Sequence, residues 1–424
     1  MNNFLRRLKL IFKDPDLRKK ILFVLFVLAL FRLGANIPIP GIDQMRLQSF
    51  LSGNQFFGLL NIFSGGGLSN LSIMMLGVGP FITASIIMQL LTMISPKLKE
   101  MYHEGGEAGK QKFNQYSRLL TVPLAFLQGF GLLALLERQG VLGNLSFFDR
   151  FTNIVIVVAG SVLLMWLGEL ISEYGIGNGI SLLIFSGIVA GMPATVSQIL
   201  FTFDPSQIPL YAGFLAVAVL IVAGVVTITE AERPISISYS KQVRGMKMYG
   251  GFSTHLPLRV NQAGVIPIIF ALSILLFPQM IGNALSGVQN SVVQSIAGFL
   301  TGFMNNLWLY GSFYFLLVFL FTYFYTAVTF DPEAISTNLQ KSGAFVPGIR
   351  PGRPTAVYIS KILNRITLLG ALFLGLIAVL PLGMQAVTGM AALTIGGTAL
   401  LIVVSVVLET IKQIESQVIM REYE

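Results

Sequence analysis

Few side chains in this 424-residue chain are equipped for acid–base, nucleophilic or metal chemistry. Cysteine is absent, which excludes a disulfide scaffold and any cysteine-ligated zinc or iron–sulfur centre. The histidines are His103 and His255. His103-Glu-Gly-Gly-Glu107 has the outline of the His-Glu-x-x-His motif, in which two imidazoles one helical turn apart share a zinc ion. Glu107 stands where the second imidazole should be, and two glycines oppose a helix, so a solvated loop is expected. The overlapping Glu104-Gly-Gly-Glu-Ala-Gly-Lys-Gln111 departs from a phosphate-binding P-loop at both ends. Such a loop needs Gly at 104 and Ser or Thr at 111, and it follows a buried strand. No nucleotide site is recognisable. Gly175-Ile-Gly-Asn-Gly179 reads as a tight turn that needs positive φ.

The elements around these residues are of one kind. The chain is 54% hydrophobic and 11% charged, whereas a soluble domain carries about a quarter charged residues. Soluble multidomain and disordered classes are both excluded, the second because disordered chains are poor in apolar residues. Residues 264–330 and 366–408 contain no Asp, Glu, Lys, Arg or His. A helix needs ~20 apolar residues to cross the hydrocarbon, and continuous apolar runs rather than alternation select helices over a barrel. Ten spans are expected, at about 21–37, 71–94, 119–136, 151–171, 180–203, 210–229, 264–282, 307–330, 366–382 and 391–411. The basic stretch before the first span has no small-residue cleavage site, so no removable signal peptide is expected. Arg32 sits near one end of span one, where it is expected to snorkel to the headgroups. Glu169 and Glu409 lie toward span ends. An ion-coupled transporter would place ionisable groups at midplane, so proton or sodium coupling is disfavoured.

Every Lys and Arg except Arg32, Arg46, Arg138 and Arg150 falls in residues 1–20, in the loops 95–118, 230–263 and 331–365, or in the tail. Lys/Arg-rich loops stay in the cytoplasm, which puts both termini there. The spans divide five and five around 203–209, giving halves 1–203 and 204–424. An odd number in each half implies opposite orientation, as in inverted repeats. The uncharged 283–306 segment suits a short interfacial helix. Asn61-Ile-Phe-Ser-Gly-Gly-Gly-Leu-Ser-Asn70, leading into a span with Gly77, Gly79 and Pro80, has two readings. It is either a re-entrant element shielded by protein or an external loop. The basic loops 230–263 and 331–365 likewise serve orientation alone, or dock an acidic or phosphate-bearing partner.

Five stretches together resemble the SecY family, the central subunit of the bacterial protein-translocation channel. They are Phe31-Arg-Leu-Gly-Ala-Asn-Ile-Pro-Ile-Pro-Gly41, Asn61-Ile-Phe-Ser-Gly-Gly-Gly67, and Trp166-Leu-Gly-Glu169 through Gly175-Ile-Gly-Asn-Gly-Ile-Ser181. The others are Ser253-Thr-His-Leu-Pro-Leu-Arg-Val-Asn-Gln-Ala-Gly-Val-Ile-Pro267 and Lys341-Ser-Gly-Ala-Phe-Val-Pro-Gly-Ile-Arg-Pro-Gly352. The resemblance implies an all-α polytopic membrane protein with ten helices in two pseudo-symmetric, inverted five-helix halves around an hourglass pore. A plug half-helix at about 62–72 would seal it, carrying Phe63, Ser64, Gly65, Gly66, Gly67 and Leu68. The pore ring would be Val78, Ile82, Ile184, Ile269 and Ile402, with Val78 a departure from an all-isoleucine ring. An apolar ring excludes water and ions by dewetting yet yields to a polypeptide. A lateral gate between spans two and three and spans seven and eight would carry Thr83, Gln128 and Phe277. Lys241, Arg244, Lys247, Arg350 and Arg353 would dock the ribosome or the motor ATPase SecA. The loop 241–249 is less basic than the family leads one to expect.

The implied function is a passive channel rather than an enzyme, with no cofactor and no metal. It would conduct unfolded secretory preproteins, bind their signal sequences, and release apolar segments sideways into lipid of the bacterial cytoplasmic membrane. SecA or the ribosome would supply energy, and the small subunits SecE and SecG would be its membrane partners. The rival classes are a neutral-solute transporter and an intramembrane hydrolase, the latter short of paired catalytic groups.

Overall fold

Helices begin where the sequence supplies a cap. Asp14 accepts hydrogen bonds from the Asp16 and Leu17 amides at 2.9 and 3.5 Å and opens α1 (Pro15–Ala35), whose first residue has no amide hydrogen to satisfy. Next come α2 (Gly79–Ile94), α3 (Pro96–His103) and α4 (Gly106–Arg138). Ser146 caps α5 (Phe147–Tyr174): its hydroxyl accepts from the Asp149 amide at 3.2 Å. The chain continues through α6 (Gly179–Phe201) and α7 (Ile208–Glu230) to strands β1 (Glu232–Tyr239), β2 (Gln242–Arg244), β3 (Lys247–Tyr249) and β4 (Ser253–Arg259). After them come α8 (Ile266–Leu285), α9 (Ser291–Asn305), α10 (Leu307–Thr329), α11 (Pro332–Lys341), β5 (Ala344–Phe345), α12 (Arg353–Thr388) and α13 (Ala391–Glu422). This computed structural model describes residues 14–40, 47, 61, 64–103, 105–138, 140–143, 146–201, 208–239, 242–244, 247–249, 253–285, 290–388 and 391–422.

A helix lies on each of the ten expected spans: α1, α2, α4, α5, α6, α7, α8, α10, α12 and α13. Among the described residues, Gly106–Glu137, Phe147–Tyr174, Leu307–Lys341 and Arg353–Met384 are long and apolar enough to cross a membrane. Gly79–Ile94 with Pro96–Tyr102 makes a further apolar pair, bent by 114°. The chain is therefore a multi-pass membrane protein. In the 283–306 segment α9 leaves Val292, Ile296 and Phe299 exposed while burying Ala297, the sidedness an interfacial helix needs.

Two groups of helices emerge from the packing. In the first, α4 packs on α2 and α5, and α5 on α1 and α6; in the second, α10 packs on α8 and α12, and α13 on α7 and α12. Contacts between the groups run from α8 to α2 and α4, and from α13 to α6. One large apolar cluster draws on both groups. A second, with Leu68, Leu71, Met75, Leu133 and Val157, lies within the first.

The loops 230–263 and 331–365 contain a small antiparallel sheet in the order β4-β1-β5. Glu232 lies opposite Arg259 and Ser238 opposite Ser253, while Ser238 and Tyr239 pair with Phe345 and Ala344. Glu232 and Arg259 also form an ion pair at 3.4 Å. Ile235, Leu258, Val346, Ile359 and Ile366 close a separate core beneath the sheet. β2 and β3 form a second, two-stranded ribbon. The two basic loops are thus one body, stapled through β1.

Close backbone approaches depend on glycine. A Cβ at Gly160 of α5 would lie 2.8 Å from the Ile73 carbonyl carbon and collide with its oxygen, whereas a Cβ at Gly213 of α7 meets nothing within 4 Å. Gly160→Ala is therefore expected to destabilise the protein by about 1–3 kcal/mol through overpacking. Gly213→Ala should stay within about 0.5 kcal/mol. Unfolding of both variants in detergent, followed by circular dichroism, checks the difference.

Candidate functional site

The residues with possible catalytic chemistry are dispersed. His103 ends α3 and Glu107 lies in the first turn of α4, with Gly106 between them at φ 59°. Glu169 pairs with Arg118 at 2.7 Å, joining α5 to α4. The glycine-rich 175–179 stretch is a turn: Gly177 has φ 96°, and Asn178 accepts from the Ser181 amide at 3.2 Å.

Five aliphatic side chains do come together in one cluster. Val78 precedes α2 and Ile82 lies one turn into it; Ile184 is on α6, Ile269 on α8 and Ile402 on α13. None is more than 4% exposed, and all belong to the large cluster that joins the two helix groups. Four come from separate helices and Val78 is the residue that caps α2, and these five side chains offer no polar atom for catalysis. What it can do is exclude water.

Beside this cluster runs the glycine-rich segment. A half-helix was expected at about 62–72, but the described part, from residue 64 to residue 78, is a succession of turns. Gly65, Gly66 and Leu71 have φ of 64°, 85° and 41°, in the left-handed region that a right-handed helix cannot include. Side chains and neighbouring backbone satisfy the amides instead. Ser64 Oγ accepts from Leu68 N at 3.0 Å, and the Asn61 carbonyl accepts from Gly66 N at 2.8 Å. Ser72 bridges to Pro38, with Ile39 N donating to the Leu71 carbonyl and Ile73 N to that of Ile37, both at 2.9 Å. Ser161 on α5 donates to the Gly77 carbonyl at 3.0 Å. Ser64 and Leu68 are buried. Phe63 lies outside the described residues.

Arg32 was expected to reach toward headgroups; it turns inward instead. Nη1 donates to the Gly65 carbonyl at 2.8 Å and Nη2 to the Ser186 carbonyl of α6. Sequence reasoning missed this contact because a side chain's direction around a helix near its end is not encoded in hydropathy. The one available signal was that Arg32 is the sole basic residue in any expected span.

The residues expected at a lateral gate are placed as follows. Thr83 is buried on α2, its hydroxyl donating to its own helix at Gly79 O (3.0 Å), and Gln128 is buried on the adjacent α4. Phe277 is on α8, which packs against both helices, and its side chain lies outside the described residues. In the sheet loops, Arg350 and Arg353 are exposed. The Arg350 turn is braced: its carbonyl accepts from Thr355 Oγ1 at 2.8 Å, and the Gly352 carbonyl from Ser336 Oγ at 2.6 Å. Arg244 and Lys247 are on β2 and β3, and Lys241 lies outside the described residues.

A family model described as SecY matches residues 72–411. The protein translocase subunit SecY of Corynebacterium glutamicum is 44% identical over 437 residues, covering 97% of this chain and 98% of that one. Among solved structures, a SecY translocation channel, described for a plug domain that stabilises the closed state and maintains a membrane seal, superposes with a TM-score of 0.66. It is 19% identical and covers 94% of this chain and 92% of that one. Sec61 in a canine ribosome–channel complex superposes with a TM-score of 0.59, at 18% identity and with 94% and 92% covered. At these identities the two structures establish the fold.

Proposed function

The chain belongs to the SecY family and is a protein-conducting translocation channel, and on that premise we propose how its parts divide the work. The observation that carries the reading is 44% identity to a translocase subunit over 97% of the chain. Residues 1–203 and 204–424 act as two halves. Val78, Ile82, Ile184, Ile269 and Ile402 form the constriction between them, and residues 64–68, following Phe63, are the core of the plug that seats against it.

An apolar constriction serves this purpose physically. It offers water and ions no replacement for their hydration, so the closed state stays dry. It also holds no charge that would trap a passing segment, so a polypeptide of any sequence can pass. The burial of all five residues in one cluster fits a closed pore. Parting of α8 from α2 and α4, at Thr83, Gln128 and Phe277, opens a route into lipid for apolar segments. Buried polar groups such as Thr83 already bond within their own helix, so parting strands few of them.

The chain sits in the bacterial cytoplasmic membrane with both termini on the cytoplasmic side, a reading that the distribution of Lys and Arg supports. Lys241, Arg244, Lys247, Arg350 and Arg353 form the docking surface on the sheet loops. A ribosome, as bound by the canine relative, or the ATPase SecA supplies the energy there, and SecE and SecG complete the complex. Secretory preproteins and their signal sequences are the substrates, and the channel itself catalyses no reaction.

Photo-crosslinkers at positions 82 and 402 should label a secretory chain stalled in transit, and a crosslinker at lipid-facing position 215 should not. Absence of labelling at both pore positions would overturn the assignment. Ile82→Asn and Ile402→Asn should raise the ion conductance of the resting channel in planar bilayers, because a polar group wets the constriction. Arg350→Glu should impair SecA-driven export at least tenfold while leaving the amount of channel in the membrane unchanged. Equal loss of both would mark a folding defect instead.

A further inference from the structure

Arg32 is the one basic residue in the ten expected spans, and its guanidinium joins three separate pieces of chain. Nη1 donates to the Gly65 carbonyl at 2.8 Å and Nη2 to the Ser186 carbonyl, so α1, the turn segment and α6 meet at one planar group. The group stacks over the Phe31 ring, its carbon 5.3 Å from the ring centroid, and Nε is buried without a partner. Both acceptors are neutral main-chain carbonyls. The backbones are in contact as well: a Cβ at Gly187 would lie 2.9 Å from the Gly65 carbonyl carbon, and a Cβ at Gly65 would run into the Phe31 ring.

We infer that Arg32 is the positioning residue that latches the glycine-rich segment in the closed channel, by forking its two nitrogens between the Gly65 and Ser186 carbonyls. The inference rests on the reading of residues 64–68 as the seal. Arginine suits the task because its fork spans two acceptors in fixed geometry and its charge cannot be lost by deprotonation. Displacing the segment takes from the part-buried Nη1 a charge-assisted hydrogen bond that the seated segment supplies. The latch therefore biases the resting channel toward closure. Because its acceptors are neutral, it exerts no long-range pull on the segment once the two are apart. Lysine cannot replace it: a single ammonium is a point charge that reaches one carbonyl at a time.

The test uses the purified full-length chain, with its membrane partners, in planar bilayers, and reads resting conductance per channel. Loss of two charge-assisted hydrogen bonds should raise the resting open fraction at least roughly tenfold in Arg32→Gln, with Arg32→Lys in between. Gly187→Ala keeps the charge but pushes the Gly65 backbone away, and it should leak too. A variant lacking residues 64–68 is the reference for an unsealed channel. If that variant leaks while Arg32→Gln and Gly187→Ala stay as tight as the parent, the latch is overturned and the seal stands. If none of them leaks, the seal reading fails and the latch with it. A purely structural role would lower the amount of assembled channel without raising leak per channel, and that result also overturns the proposal.

Discussion

Backbone that is not helical has to find its hydrogen-bond partners inside the protein when water is absent. Residues 64–78 live under that constraint, and much of the neighbouring structure is arranged to meet it. Ser64, Ser161 and Asn61 supply side-chain or main-chain partners, and residues 37–39 run alongside as a short extended rail. Gly160 and Gly187 let α5 and α6 approach the segment to backbone contact. The positions of α1, α5 and α6 follow from this. They are walls around a piece of chain that has no regular structure of its own and is nevertheless buried.

The centre of the molecule solves the opposite problem. There Val78, Ile82, Ile184, Ile269 and Ile402 are buried among other apolar side chains in a cluster fed by both helix groups. Dispersion and desolvation hold such a cluster together without directional bonds. If a translocating chain passes there, as proposed, the cluster has no specific geometry to recover when it closes. The segment beside it is the reverse, held by oriented hydrogen bonds that define one seated position.

Among the described residues, the long helices coincide with the apolar runs, because a membrane span needs a run of apolar residues that few other structures contain. The small sheet was less legible. Ile235 and Ile237 alternate with Ser236 and Ser238, a period-two signal, but Pro234 and Pro257, each inside its strand, argue against a strand in the sequence, and the loop charges dominate the reading. The helix expected at 62–72 fails because adjacent glycines adopt left-handed φ, which composition hints at without specifying. The proposed ring residues are invisible to chemistry alone, since an isoleucine facing a pore and one facing lipid have the same side chain. Only motif resemblance singled them out. Arg32 was legible as unusual, but its partners lie 33 and 154 positions away in the chain.

The staple between the two basic loops has a mechanical consequence. β1 follows directly from α7, whose Glu230 and Thr229 are gripped by Lys412 of α13 at 3.1 and 3.4 Å. β4 leads into α8, and β5 leads through the braced 346–352 turn into α12. A thrust on any one strand is therefore shared among four helices rather than absorbed by a slack loop. One of those helices, α8, is the member that abuts α2 and α4. The sheet is thus continuous in the chain with the helix that abuts the first group. On the proposed docking reading, a partner leaning on the loops loads α8 without touching α2 or α4.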